Sequence, residues 1–211
     1  MEFYLLYEGK LTKSGGPSQK QQIRRQLHPQ LVQLWNTHPA LLWMKEHKIS
    51  VLGNGFPESV HPGNIFEGGS ALVSLEEFAD WFRLGGFRFV PLICKAFLTT
   101  CSLEILFLRR DDPGALVDQS GDIDNRIKTL FDGLRMPVEG EVIAGQQPRG
   151  PEENPFYCLL EDDSLITDFK VTAGRLLAPS VLDSHSENEV HLVIHVKVNV
   201  VRPIPLNMLF V

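Results

Sequence analysis

The residues best equipped for chemistry lie in one short stretch, Gly121-Asp122-Ile123-Asp124-Asn125-Arg126-Ile127-Lys128-Thr129-Leu130-Phe131-Asp132-Gly133-Leu134. On a helical wheel Ile123, Ile127, Leu130, Phe131 and Leu134 make one apolar stripe, and Asp124, Lys128 and Asp132 follow its edge at i, i+4 and i+8. Asp122 falls at the helix start, where a carboxylate suits the unpaired N–H groups and the helix dipole. A second acidic group, Glu161-Asp162-Asp163, precedes the apolar run from Leu165. Crowded carboxylates repel one another, and a divalent cation relieves that repulsion. Mg²⁺ prefers near-octahedral oxygen ligands and keeps several waters, so two or three carboxylates from separate elements suit it. A lysine one helical turn on could neutralise a phosphate. Each motif also has a plainer reading: Asp122 as a cap, Asp124–Lys128 as a surface i,i+4 pair, and the triplet as an acidic loop.

Those elements need a scaffold. Residues 2–8 read as a strand, residues 12–18 as a loop, and residues 19–35 as a helix with Ser18 as its cap, where Pro29 predicts a kink or restart near His28. Residues 50–72 read as irregular. Ser74 opens a short helix with a capping box, which runs towards Gly85-Gly86. Strands are expected at 87–94, 97–108, 165–177 and 189–201, and a helix at 121–135. Residues 136–156 read as loop. His191 and His195 share a strand face, but ~13 Å of strand separates them, so they cannot clamp one metal. The fold class expected is α/β (α+β): a small mixed β-sheet packed with helices, in a single domain over 1–211, with insertions at 36–90 and 135–158.

Composition narrows the field. The 211 residues are 43% hydrophobic and 22% charged, enough for a full core. No apolar run is long enough to span a bilayer. The three cysteines are too scattered for a disulfide framework or a zinc site, which fits a cytoplasmic chain. The net charge of −6 conceals a basic segment. Lys10, Lys13, Lys20, Arg24 and Arg25 occur with no acid among them, a set suited to gripping phosphates.

The pattern Asp122-x-Asp124-Asn125-x-x-Lys128, with Asp132 four residues on and then Leu160-x-Asp162-Asp163-x-x-Ile166, resembles the RusA family of Holliday junction resolvases. The likeness covers roughly residues 1–35 and 98–200, and only the motif segments are specific. It implies a homodimeric, Mg²⁺-dependent (or Mn²⁺-dependent) endonuclease of branched DNA. Asp122, Asp124 and Asp163 fall on that family's metal-binding catalytic carboxylates and Lys128 on its lysine. Asn125, Asp132 and Asp162 fall on supporting positions. The chain departs from the family in its two insertions and its acidic balance. Alternatives are a non-catalytic module of the same fold that binds DNA or protein, and a nuclease acting on RNA or single strands.

Overall fold

The computed structural model describes residues 1–52, 70–110, 122–144, 150–177 and 188–210. The fold is α+β. Alternating side chains build its main sheet. Along β9 (Glu189–Val200), Val190, Leu192, Ile194, Val196 and Val198 are all buried, with the residues between them facing outward. The same period marks β1 (Glu2–Lys10) and β6 (Thr99–Arg109). With β8 (Ile166–Arg175) they make a four-stranded sheet in the order β1-β9-β6-β8. β9 runs antiparallel to β1 and β6, whereas β6 and β8 are parallel.

Parallel neighbours require a crossover. Here it includes the helix α4 (Asp122–Leu134), whose Ile127, Leu130 and Leu134 are buried in the core shared with the sheet. Phe131 meets Phe169 of β8 edge-on, ring centroids 5.2 Å apart. Beside α4 lies α1 (Pro17–Thr37), which buries Ile23, Leu27, Leu31 and Trp35. Its cap is Gly16 with Pro17 in the first turn, not Ser18. It also passes through Pro29 unbroken, and Gln30 Nε2 donates to the carbonyl of Gln26 in that turn.

The two segments expected as insertions, 36–90 and 135–158, carry regular elements among the described residues. The first contains α2 (Pro39–Glu46), the paired strands β2 (Ile49–Leu52) and β3 (Ser70–Val73), α3 (Leu75–Trp81) and β4 (Arg83–Leu84). Ser74 and Glu77 form the expected capping box, but α3 stops at Trp81, short of the glycines. β5 (Phe87–Ile93) pairs with β4 on one side and, in parallel, with β7 (Phe156–Leu160) on the other. The second insertion holds the short helix α5 (Glu139–Ala144) and most of β7. All three cysteines are buried and free. Among the described residues no helix is long and apolar enough to cross a membrane.

Candidate functional site

The crossover fixes where the first motif stands. Arg126 donates to the carbonyl of Leu11, just beyond β1, and to Asn188 Oδ1 at 2.9 Å, just before β9. At the other end of α4, Arg135 bridges to Leu160. The helix therefore runs antiparallel to β6, and its amino end stands over the carboxyl ends of β6 and β8. Asp124 and Lys128 are exposed there one turn apart, with Asn125 exposed beside them. Asp122 is the first helical residue, and its side chain lies outside the described residues. Ligands of open parallel α/β units bind at the carboxyl ends of the strands, so this is the favourable end of the sheet.

The acidic triplet is at the other end. Asp163 opens the 3-10 turn Asp163–Leu165 that feeds the amino end of β8. It is exposed, and its charge acts on Arg135. At 1.5 Å of rise per residue, Asp124 and Arg135 are roughly 16 Å apart along α4. Within one chain Asp163 therefore does not reach a cation held at the helix entrance. Its neighbours have local tasks. Asp162 accepts from the Ser164 amide at 3.0 Å, and the bonds from Ser164 hold its carboxyl below the ordinary range. Glu161 accepts from the Lys95 amide at 2.8 Å, and burial pushes its carboxyl up. No group of three or more His, Cys, Asp or Glu side chains is placed to hold a metal among the described residues.

The basic segment divides. Lys10 and Lys13 are exposed, as phosphate contacts require. Lys20, Arg24 and Arg25 instead hold the fold together. Lys20 Nζ lies 2.9 Å from both Asp132 Oδ2 and Glu141 Oε1. Arg24 is only 2% exposed; it pairs with Glu141 at 2.9 Å and donates to the carbonyls of Asp132 and Arg135. Arg135 completes the group, 2.7 Å from Asp132 and 3.1 Å from Glu141. Arg25 pairs with Glu153 at 2.8 Å. All three bases, expected to grip nucleic acid, are engaged here by carboxylates of α4, α5 and the loop before β7.

Electrostatics agree with a locked network. Burial alone pushes the Asp132 and Glu141 carboxyls up. Lys20 and Arg135 outweigh burial at Asp132, and hydrogen bonds from Lys20 and Arg24 with the charges of Arg24 and Arg135 do so at Glu141, holding both below their ordinary values. Burial lowers the Arg24 guanidinium, although Glu141 opposes that shift. Asp132 is thus an ion-pair partner joining α1 to α4. Arg135 and Glu141 escaped the sequence reading because one-dimensional spacing carries no sign of a three-helix junction.

No family model matches the chain, and neither do the curated proteins or the solved structures. The resemblance to the RusA family therefore rests on the motif residues alone.

Proposed function

We propose that the chain is a Mg²⁺-dependent endonuclease of DNA, branched DNA being the substrate class that the motif resemblance suggests. One observation carries the reading: Asp124 and Lys128 stand exposed on the first turns of α4, at the carboxyl ends of the parallel pair β6 and β8. Asp122 and Asp124 would hold the cation. Two carboxylates are sufficient for Mg²⁺, which fills its remaining positions with water and substrate phosphate. When bound, the ion would polarise a phosphoryl oxygen and acidify a bound water. Lys128 would oppose the charge that develops on the phosphate, as a fixed cation does where water is excluded. Lys10 and Lys13, near the same end of the sheet, would contact the DNA backbone and contribute affinity without sequence information.

The distance of Asp163 from this end favours a second reading, a module that keeps the fold, binds a partner and does not cut. Two measurements separate the readings. The first sets purified protein with Mg²⁺ or Mn²⁺ against labelled four-way, forked, duplex and single-stranded DNA, beside Asp124→Asn. The second is thermal melting with and without the metal, since a ligand of the native state alone raises apparent stability. Metal-dependent cleavage lost in Asp124→Asn supports the nuclease; neither cleavage nor a metal-dependent shift overturns it.

A further inference from the structure

The segment 36–90, outside the reach of the motif resemblance, builds most of a cleft. Arg83 of β4 and Arg88 of β5 are direct cross-strand partners, and like charges so placed repel each other. Asp80 Oδ1 stands between them; it accepts from Arg83 Nη2 at 2.7 Å and from Arg88 Nη1 at 3.3 Å. Glu76 pairs with Arg88 Nη2 at 2.8 Å. From the loop before β7, Asn154 Oδ1 accepts from Arg88 Nε at 2.9 Å. With Leu84, Phe87 and the Gly85-Gly86 turn, Arg83, Arg88 and Asn154 line a cleft of about 500 Å³, a volume suited to a small organic molecule. Its donors are not used up. Arg83 Nη1 and Asn154 Nδ2 have no hydrogen-bond partner among the described residues. Arg88 Nη1 and Nη2 each carry a second N–H. The side chains of Asp80 and Glu76 are 42% and 65% exposed, and ion pairs so open to water contribute little. An anion richer in acceptors can therefore take their place. A Cβ at Gly86 would meet nothing within 4 Å, so the turn leaves the mouth of the cleft clear.

We propose that this cleft binds a small organic phosphate. The phosphoryl group sits on Arg83, Arg88 and Asn154, and the apolar portion lies against Leu84 and Phe87. A phosphate monoester presents three terminal oxygens to these three side chains, and guanidinium forks match them in bidentate pairs. It also brings close to two negative charges on one group at neutral pH. That is its advantage over Asp80, which offers a single charge to two arginines. A ligand carboxylate has no such advantage, since it would only repeat what Asp80 already supplies. Phe87 gives the ligand a ring to lie on that is itself fixed: it stacks on Phe89 at 5.8 Å and meets Phe156 edge-on at 6.0 Å. The inference is independent of the carboxylates of α4 and of whether the chain cuts DNA.

Isothermal titration of the full chain with phenyl phosphate, inorganic phosphate and benzoate, at one ionic strength, tests this. Phenyl phosphate should saturate a single site and bind about tenfold tighter than either of the others, each of which lacks one half of the match. Arg83→Gln should weaken phenyl phosphate about tenfold or more. Lys170→Gln, which removes the same charge from an exposed position on β8, should leave the affinity unchanged. In the wild-type protein, amide resonances of Gly85, Gly86 and Arg88 should shift with the same saturation curve, a readout that stands even if Arg83→Gln fails to fold. No saturable binding overturns the proposal. So do equal affinities in wild type and a folded Arg83→Gln, or resonance shifts confined to other parts of the chain. Benzoate binding as tightly as phenyl phosphate overturns the choice of phosphate. A short DNA strand without terminal phosphates offers diesters alone; if it displaces phenyl phosphate at similar concentration, the occupant is a nucleic-acid backbone and the small-molecule assignment falls.

Discussion

The ammonium of Lys20 and the carboxylate of Asp132 meet at 2.9 Å, joining α1 to α4. By sequence alone, one belongs to a phosphate-gripping segment and the other to a metal motif; in the fold each satisfies the other. Arg24 occupies the centre of this junction, almost fully buried, and donates to Glu141 and to two main-chain oxygens. Arg24→Ala leaves Glu141 short of a partner and two carbonyls unsatisfied. The expected loss of stability is about 3–5 kcal/mol, as when one member of a buried pair is removed. Urea unfolding at neutral pH measures it; a loss below about 1 kcal/mol would place Arg24 in the class of surface ion pairs.

Acid should open the same junction. Asp132 and Glu141 have folded values held below the ordinary ones. The unfolded chain therefore takes up protons first as pH falls, and their stabilisation is complete only above the ordinary carboxylate values of about 3.9 and 4.3. It disappears as pH falls from there through the lower folded values. Glu161, held high by burial, works in the opposite direction and favours the folded state as it protonates. Chemical unfolding between neutral pH and acid should show stability falling below about pH 4, with a shallower fall in an Asp132→Asn, Glu141→Gln double variant. Equal slopes in the two proteins would remove the junction from the acid response.

Much of this architecture was legible from periodicity. β1, β6, β8, β9 and α4 follow from alternation or from a 3.6-residue stripe, and Ser74 with Glu77 announces α3. β7 was missed because Phe156, Tyr157, Cys158, Leu159 and Leu160 are all buried. A strand covered on both faces shows no alternation. The helix did not restart near Pro29, since tertiary packing of α1 overrides a local preference. The site was legible in part. Residue types and spacing drew attention to Asp124 and Lys128, but they say nothing of strand direction. Once β6 and β8 are known to be parallel, a residue leading into β8 must lie at the opposite end from one that follows β6. That rule separates Asp163 from the helix entrance.

The separation yields a prediction for the metal. Asp124→Asn should abolish a Mg²⁺-dependent rise in melting temperature and any Mg²⁺-dependent cleavage. Asp163→Asn should retain both within a few fold, because Asp163 leads into the amino end of β8, at the opposite end of α4 from Asp124, where its charge acts on Arg135. Equal loss in the two variants would show that acids from both ends of the helix serve one ion, which a single chain does not arrange.

Nucleic-acid affinity should follow exposure, not the count of basic residues. Lys10 and Lys13 are exposed, whereas Lys20 and Arg24 are held by carboxylates. A Lys10→Ala, Lys13→Ala double variant should weaken DNA binding across all sequences and reduce the salt slope by about 2, close to one for each phosphate that no longer meets a lysine. Lys20→Ala should leave that slope unchanged while lowering stability. A change of slope in Lys20→Ala would return this lysine to the binding surface.

Gly133 tests how closely α1 and α4 must approach. A Cβ built there would lie 2.7 Å from Ile23 Cγ2 and 2.8 Å from its Cβ, inside any normal contact. Two effects of Gly133→Ala compete. Alanine gains about 1 kcal/mol of helix propensity over glycine, while forcing a methyl into a packed interface costs about 1–3 kcal/mol. Overlap on a branched side chain with little freedom puts the clash at the upper end of that range, so the variant should be less stable by about 1–2 kcal/mol. Removing the branches should change the balance. In an Ile23→Ala background the overlaps with Cγ2 and Cδ1 are gone while the 2.8 Å approach to Cβ stays, so the same substitution should cost less without becoming neutral, a coupling that a double-mutant cycle reads directly. Additive effects would mean that α4 carries the methyl elsewhere, and that the small residue at 133 is not what lets the two helices touch.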